Sequence, residues 1–199
     1  MVSREPMRYV VFDIETANTF PGLSQADMDK MELALVGVYD SETDTYSSYV
    51  KEELPQLWAI LERTDLLIGY NSDHFDIPIL NRYYPGDLTH IRSLDLMVEV
   101  QKVLGRRLRL SSLAQATLGR GKSGDGLKSV AWWQQGLVDK VREYCIEDVR
   151  LTKELFEYAL EKNCLKYKDL NEIRDIKLDT HDWLKEPNGD ISMTHALQL

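Results

Sequence analysis

Residues 8–15 are a short run of aliphatic and aromatic side chains ending in acids, the pattern of a largely buried strand. Residues 32–40 repeat it. After a polar turn, residues 46–51 alternate well enough for a third strand. The period then changes. Leu54, Leu57, Trp58 and Leu61 recur at helical intervals and define one apolar face of a helix over 54–63. A short buried strand is predicted at 65–70, a helix over 75–84 and another strand at 91–96. From 97 to about 160 the pattern is helical, interrupted at Gly105, across 119–126 and near Gly136. The last helix, 138–162, is the longest. Residues 165–178 predict a hairpin at the sheet edge. Residues 187–199 lack periodicity and read as a loose tail.

Three strands followed by strands alternating with helices predict an α/β architecture with a mixed central β-sheet and flanking helices. The first strands, read as hairpin-linked, should pair antiparallel, and the later crossovers should be parallel. Residues 1–186 are expected to form one domain.

Composition adds exclusions. Of 199 residues, 43% are hydrophobic and 29% charged, which rules out a mainly disordered chain. No apolar run approaches the roughly 18 residues of a membrane-spanning helix. The chain enters the 8–15 run without a secretory-type apolar stretch, so a cytoplasmic protein is expected. Cys145 and Cys164 fall in helical-looking sequence and are read as buried thiols. The net charge of −9 argues against a nucleic-acid partner, but its distribution argues for one. Residues 101–130 hold seven basic residues and one acid, a local balance of +6, leaving −15 for the rest. Such a segment is either a phosphate-binding face or a solvated helix surface.

Three fragments have candidate chemistry. Asp13 and Glu15 lie two apart in a strand and so share a face, opposite Phe12 and Ile14. Two adjacent carboxylates repel each other, and hard oxygen ligands select Mg2+ or Mn2+. An exposed acidic strand end is the simpler alternative. Asp76 closes the segment Asn71-Ser72-Asp73-His74-Phe75-Asp76 ahead of an apolar helix start, where an N-cap role is equally available. Tyr144 and Asp148 are four apart on the long helix and share a face, as a structural hydrogen bond would also require.

Phe-Asp-Ile-Glu-Thr early, Asn-x-x-x-Phe-Asp in the middle and Tyr-x-x-x-Asp late, in that order, resemble the DEDD exonucleases of the ribonuclease H-like superfamily. The tyrosine-bearing subclass is the nearest, a class that includes polymerase proofreading domains. The stretches 113–119 and 143–152 look most similar to stand-alone YprB-like predicted 3′–5′ exonucleases. The resemblance covers roughly residues 10–167. It implies that Asp13, Glu15, Asp76 and Asp148 bind two divalent cations, Mg2+ or Mn2+, and that Tyr144 orients the attacking water. It also implies 3′–5′ hydrolysis of DNA or RNA phosphodiester bonds at single-stranded 3′ ends, releasing nucleoside monophosphates.

Within that reading, Asn71, Phe75, Arg106, Arg107, Arg109 and Lys122 are substrate contacts, and Asp95 is a supporting acid. Phe20, Met28 or Met31 either wedge against the terminal base or are ordinary loop packing, the commoner case, and Trp132 and Trp133 either stack bases or, more usually, put one ring in the core and one at the rim. Gly121-Lys122-Ser123 is no P-loop, because Ala116 stands where the earlier glycine belongs. A non-catalytic module on the same fold and a structure-specific endonuclease are the competing functions.

Overall fold

The structure is a computed structural model and describes residues 7–20, 25–121 and 126–185. Strands β1 (Tyr9–Thr16), β2 (Leu33–Asp40), β3 (Thr45–Val50), β4 (Leu66–Gly69) and β5 (Arg92–Asp95) form one sheet in the order β3-β2-β1-β4-β5. As expected, β1 pairs antiparallel with β2 and β2 antiparallel with β3, while β4 is parallel with both β1 and β5; only β2 and β3 are joined by a short turn, residues 17–32 separating β1 from β2. The described helices are α1 (Gln25–Met28), α2 (Leu54–Leu61), α3 (Asp76–Asn81), α4 (Leu96–Leu104), α5 (Leu110–Leu118), α6 (Gly126–Gln134) and α7 (Val138–Lys162). The predicted face of α2, Leu54, Leu57, Trp58 and Leu61, is buried.

The sheet is covered on both sides, and β1 shows how. Val10, Phe12 and Ile14 pack with Leu57, Ile77 and Leu80 of α2 and α3. Val11 packs on the opposite side with Leu113 of α5 and Val149, Leu155 and Phe156 of α7. The period of two continues past Val11, so Asp13 and Glu15 emerge on the side covered by α7. The β1–β2 register shifts between Glu15 and Thr16, ending regular pairing beside the second acid.

Gly37 of β2 lies under α7. A Cβ there would come within 2.8 Å of the Cys145 Sγ. The missing side chain lets α7 approach the sheet at the turn between Tyr144 and Asp148.

Residues 164–177 differ from the expected edge hairpin. β6 (Cys164–Asp169) and β7 (Glu172–Lys177) form a separate two-stranded sheet. The outer edge of β6 is occupied by α5. The Thr117 hydroxyl donates to the Lys166 carbonyl (3.1 Å) and accepts from the Lys166 N–H (2.9 Å). Leu165 and Ile176 anchor the hairpin in the core beneath α7. Cys145 is fully buried, whereas Cys164 is only half-buried. The predicted tail, 187–199, lies outside the described residues.

Candidate active site

Four carboxylates from three parts of the chain converge at the end of β1. Asp13 and Glu15 come from β1 itself. Asp76 is the first residue of α3, and its Oδ1 accepts the Ile14 N–H at 3.0 Å, between the two β1 acids. Asp148 comes from α7, one turn after Tyr144. Its charge is felt, with those of Asp13 and Glu15, at the Cys145 thiol between them in sequence. Glu15, Asp76, Asp148 and Tyr144 are all buried, and Asp13 is half-buried.

The loop that delivers Asp76 is tightly specified. β4 ends at Gly69, where a Cβ would stand 2.4 Å from the Ser72 side chain, so the chain can turn there only without one. Asn71 takes a positive φ of 66°, a conformation that asparagine tolerates. Asp95, at the end of β5, holds the turn from the side. Its carboxylate accepts the N–H groups of Asn71 (2.8 Å) and Asp73 (3.2 Å), and also that of Met97 (2.9 Å) as the N-cap of α4. One buried acid thus ties the loop, the sheet end and a helix start together. The Asn71 Oδ1 and the Ser72 hydroxyl are buried without a hydrogen-bond partner among the described residues.

Helix α6 closes the other side. Ser129 donates a hydrogen bond to Glu15 Oε2, and the Trp132 ring meets Tyr144 edge-on at 5.9 Å. Ligand atoms of Asp13, Glu15 and Cys145 all lie within 4.8 Å of one another. Two like charges at about that separation repel by about 3 kcal/mol at an effective dielectric near 20. Burial, opposed by the Ile14 N–H and reinforced by the charges of Asp95 and Glu15, pushes the Asp76 carboxyl up to about 7. Near neutral pH the four acids therefore cannot all ionise cheaply. A hard cation relieves that repulsion, and the oxygen donors of Asp13, Glu15, Asp76 and Asp148 suit Mg2+ or Mn2+. Burial first, then the neighbouring carboxylates, drives the Cys145 thiol well above its ordinary range, so it stands beside this cluster as a neutral group.

A pH dependence follows. The Asp76 carboxyl binds its proton more tightly folded than unfolded, where the value is 3.8. Its contribution to stability is complete below that value and is lost as pH rises toward 7. In chelator, the thermal midpoint should fall between pH 5 and pH 8, and Asp76→Asn should flatten that fall. Midpoints at the two pH values for both proteins test this. Parallel slopes would remove Asp76 as the cause.

The other expected contacts are more dispersed. Arg106, Arg107 and Arg109 are exposed on the loop between α4 and α5. That loop is tied to the Asp76 segment, because the Tyr70 hydroxyl donates to the Leu108 carbonyl at 2.9 Å. Lys122 lies outside the described residues. The basic segment is not uniformly available to phosphate. Lys102 pairs with Glu99 at 2.6 Å, and Arg120 with Glu147 at 2.8 Å and with Glu154. Met28 and Met31 are buried, as the packing reading has them. Phe20 and Phe75 are half-buried against the core under α2 and α3. Trp132 and Trp133 are both half-buried, not divided between core and rim. Ser129 and Cys145 were not recognisable as site residues in the sequence. Nothing local marks a serine on a separate helix, and the one available signal for Cys145 was its place inside Tyr-x-x-x-Asp.

A family model described as the RNase H superfamily matches residues 10–160. The chain is 29% identical over 152 residues to DNA polymerase 1 of Aeropyrum pernix, covering 62% of this chain and 14% of that protein. Among solved structures, the family B DNA polymerase of the hyperthermophilic archaeon Pyrobaculum calidifontis superposes with a TM-score of 0.61 at 19% identity, covering 78% of this chain and 25% of that one. At that identity the likeness concerns the fold, and the chain spans only a small part of either polymerase. Among the described residues, no helix is long and apolar enough to cross a membrane.

Proposed function

This chain belongs to the RNase H superfamily, and from that premise we propose that it is a metal-dependent 3′–5′ exonuclease of the tyrosine-bearing DEDD class, close to the YprB-like group. It removes nucleoside monophosphates from single-stranded 3′ ends of DNA or RNA. Residues 1–186 act as one domain in this reading. The observation that supports it most is the convergence of Asp13, Glu15, Asp76 and Asp148, from β1, the start of α3 and α7, around one buried strand end beside Tyr144.

Two divalent cations, Mg2+ or Mn2+, held by these four acids would lower the pKa of the attacking water and stabilise charge developing on the phosphate. The protein's own groups do the rest. The Ile14 N–H fixes Asp76 and the Ser129 hydroxyl fixes Glu15, so the acids are set before substrate arrives. Tyr144, its ring braced by Trp132, offers its hydroxyl to the attacking water. The buried Asn71 Oδ1, without a partner among the described residues, and the neighbouring Phe75 are assigned to the terminal nucleotide. Arg106, Arg107 and Arg109, with Lys122, hold the following phosphates.

End-labelled single- and double-stranded DNA and RNA, incubated with Mg2+ or Mn2+, test the activity. Stepwise shortening from the 3′ end is expected. Cleavage of circular single-stranded DNA would make the protein an endonuclease instead. Changing Arg107 and Arg109 together to alanine should flatten the dependence of log K on log salt by about 1.4 for a single strand, about 0.7 per lost phosphate contact. An unchanged slope in a binding titration would make these arginines a solvated surface.

A further inference from the structure

We infer that this protein has a second nucleic-acid contact outside the carboxylate site: a groove of about 950 Å3 between the Arg106–Arg109 loop, α5 and the β6–β7 hairpin, which takes the single-stranded part of the substrate. The inference rests on the nuclease reading for its substrate class, but not for its geometry. One wall is the basic loop, through Arg106 and Leu108. The floor is the first turns of α5, with the small polar side chains Ser111 and Ser112. The far wall is the hairpin, through Tyr167 and Lys168. That hairpin lies beyond residues 10–160, so this wall is not part of the family-matched segment.

Charge identifies the occupant. The protein is strongly acidic, yet none of the described residues lining the groove is an acid. Lys168 in the groove, and Arg107 and Arg109 beside it, are exposed and hold no ion pair among the described residues. On the same hairpin, by contrast, Lys166 is neutralised by Asp175 at 2.7 Å and Arg174 by Asp169 at 2.7 Å. Cations without an acidic partner among the described residues, in and beside a groove that no acid lines, select a polyanion.

The apolar and aromatic groups select a strand whose bases are accessible. The Arg106 guanidinium lies 5.7 Å from the Tyr167 ring centroid, which makes a flat cationic platform for a base. Leu170 and Ile173, 89% and 54% exposed, line the groove at the hairpin tip. They would face solvent unless covered, and base faces cover such side chains without sequence preference. A duplex presents phosphates but hides its base faces. The groove wall is tied to the loop that delivers Asp76, since the Leu108 carbonyl accepts the hydrogen bond from Tyr70, the residue before Asn71.

The test compares two charge reversals on one hairpin. Lys168 lines the groove; Lys177 is exposed on β7 and does not. Binding of fluorescein-labelled 20-residue oligothymidylate is followed by anisotropy in chelator, at several salt concentrations. Lys168→Glu should weaken binding about tenfold and flatten the salt slope by about 0.7, while Lys177→Glu should do neither. A 20-base-pair duplex should bind more weakly than the single strand. Equal losses from both variants would mean that overall charge, not the groove, attracts the strand. Native-like binding by Lys168→Glu, or duplex preference, would equally overturn the inference. Because no cleavage is needed, the two readings fail separately. Groove-dependent binding with no degradation removes the nuclease, and degradation with Lys168-independent binding removes the groove.

Discussion

Asp148→Asn and Asp13→Asn should each abolish strand degradation while leaving the cation-free protein as stable as the native one or more so. Asparagine keeps the shape of the side chain and deletes its charge, which separates electrostatics from packing. In the native site at least three carboxylates act on the buried Cys145 thiol, and Asp76 is already pushed up to about 7 by burial and its neighbours. Removing one charge relieves repulsion of a few kcal/mol at most, and each kcal/mol moves the midpoint of a chain this size by about 2–4 °C. The same change removes a hard anionic ligand, and with it the affinity for a divalent cation. Two measurements on each variant are needed, the midpoint in chelator and a Mn2+ titration by calorimetry. Native-like turnover by either purified variant would defeat the metal assignment. A midpoint several degrees lower would instead mark the acid as a structural hydrogen-bonding group.

Tyr144→Phe should lower the turnover number by about 10²-fold with little change in stability or in cation binding. The substitution keeps the ring, and so keeps the edge-on contact with Trp132. It deletes one oxygen. If that oxygen orients the attacking water, the loss is felt in the transition state, at the low end for a positioned acid–base group. Substrate affinity then barely moves, because the contact is not made by the resting substrate. A purely structural hydroxyl predicts the reverse, a loss of about 1 kcal/mol in stability with near-native turnover. Single-turnover rates and melting curves of the one variant distinguish the two. An earlier melt with unchanged cutting would end the catalytic assignment.

Most element boundaries were legible in the hydrophobic pattern because each buried element repeats its own period. The 25 residues of α7 follow the helical period from end to end, and the odd–even alternation of β1 predicted which face would receive Asp13 and Glu15. Sheet polarity was legible too: a short turn joins the antiparallel β2 and β3 and long crossovers join the parallel strands, although β1 and β2 pair antiparallel, as expected, across 16 residues that do not themselves dictate it. The hairpin was visible as an element, but its attachment was not. Whether β6 joins the main sheet depends on what occupies its edge, and Thr117, nearly fifty residues away, is what occupies it.

The same division runs through the site. Asp13, Glu15, Asp76, Tyr144 and Asp148 could be singled out because each sits in a local motif whose order along the chain is distinctive. That Asp76 reaches the backbone between the two β1 acids, that Ser129 braces Glu15, and that Asp95 ties down the Asn71 loop were decided only by the tertiary structure. Charge likewise could be counted but not allotted. The sequence located seven basic residues between 101 and 130. Folding then brought Glu147 and Glu154 of α7 against Arg120 while leaving Arg107 and Arg109, beside the groove, without an ion pair among the described residues. Electrostatic interactions fall with distance in space, which the order of residues along a chain does not measure.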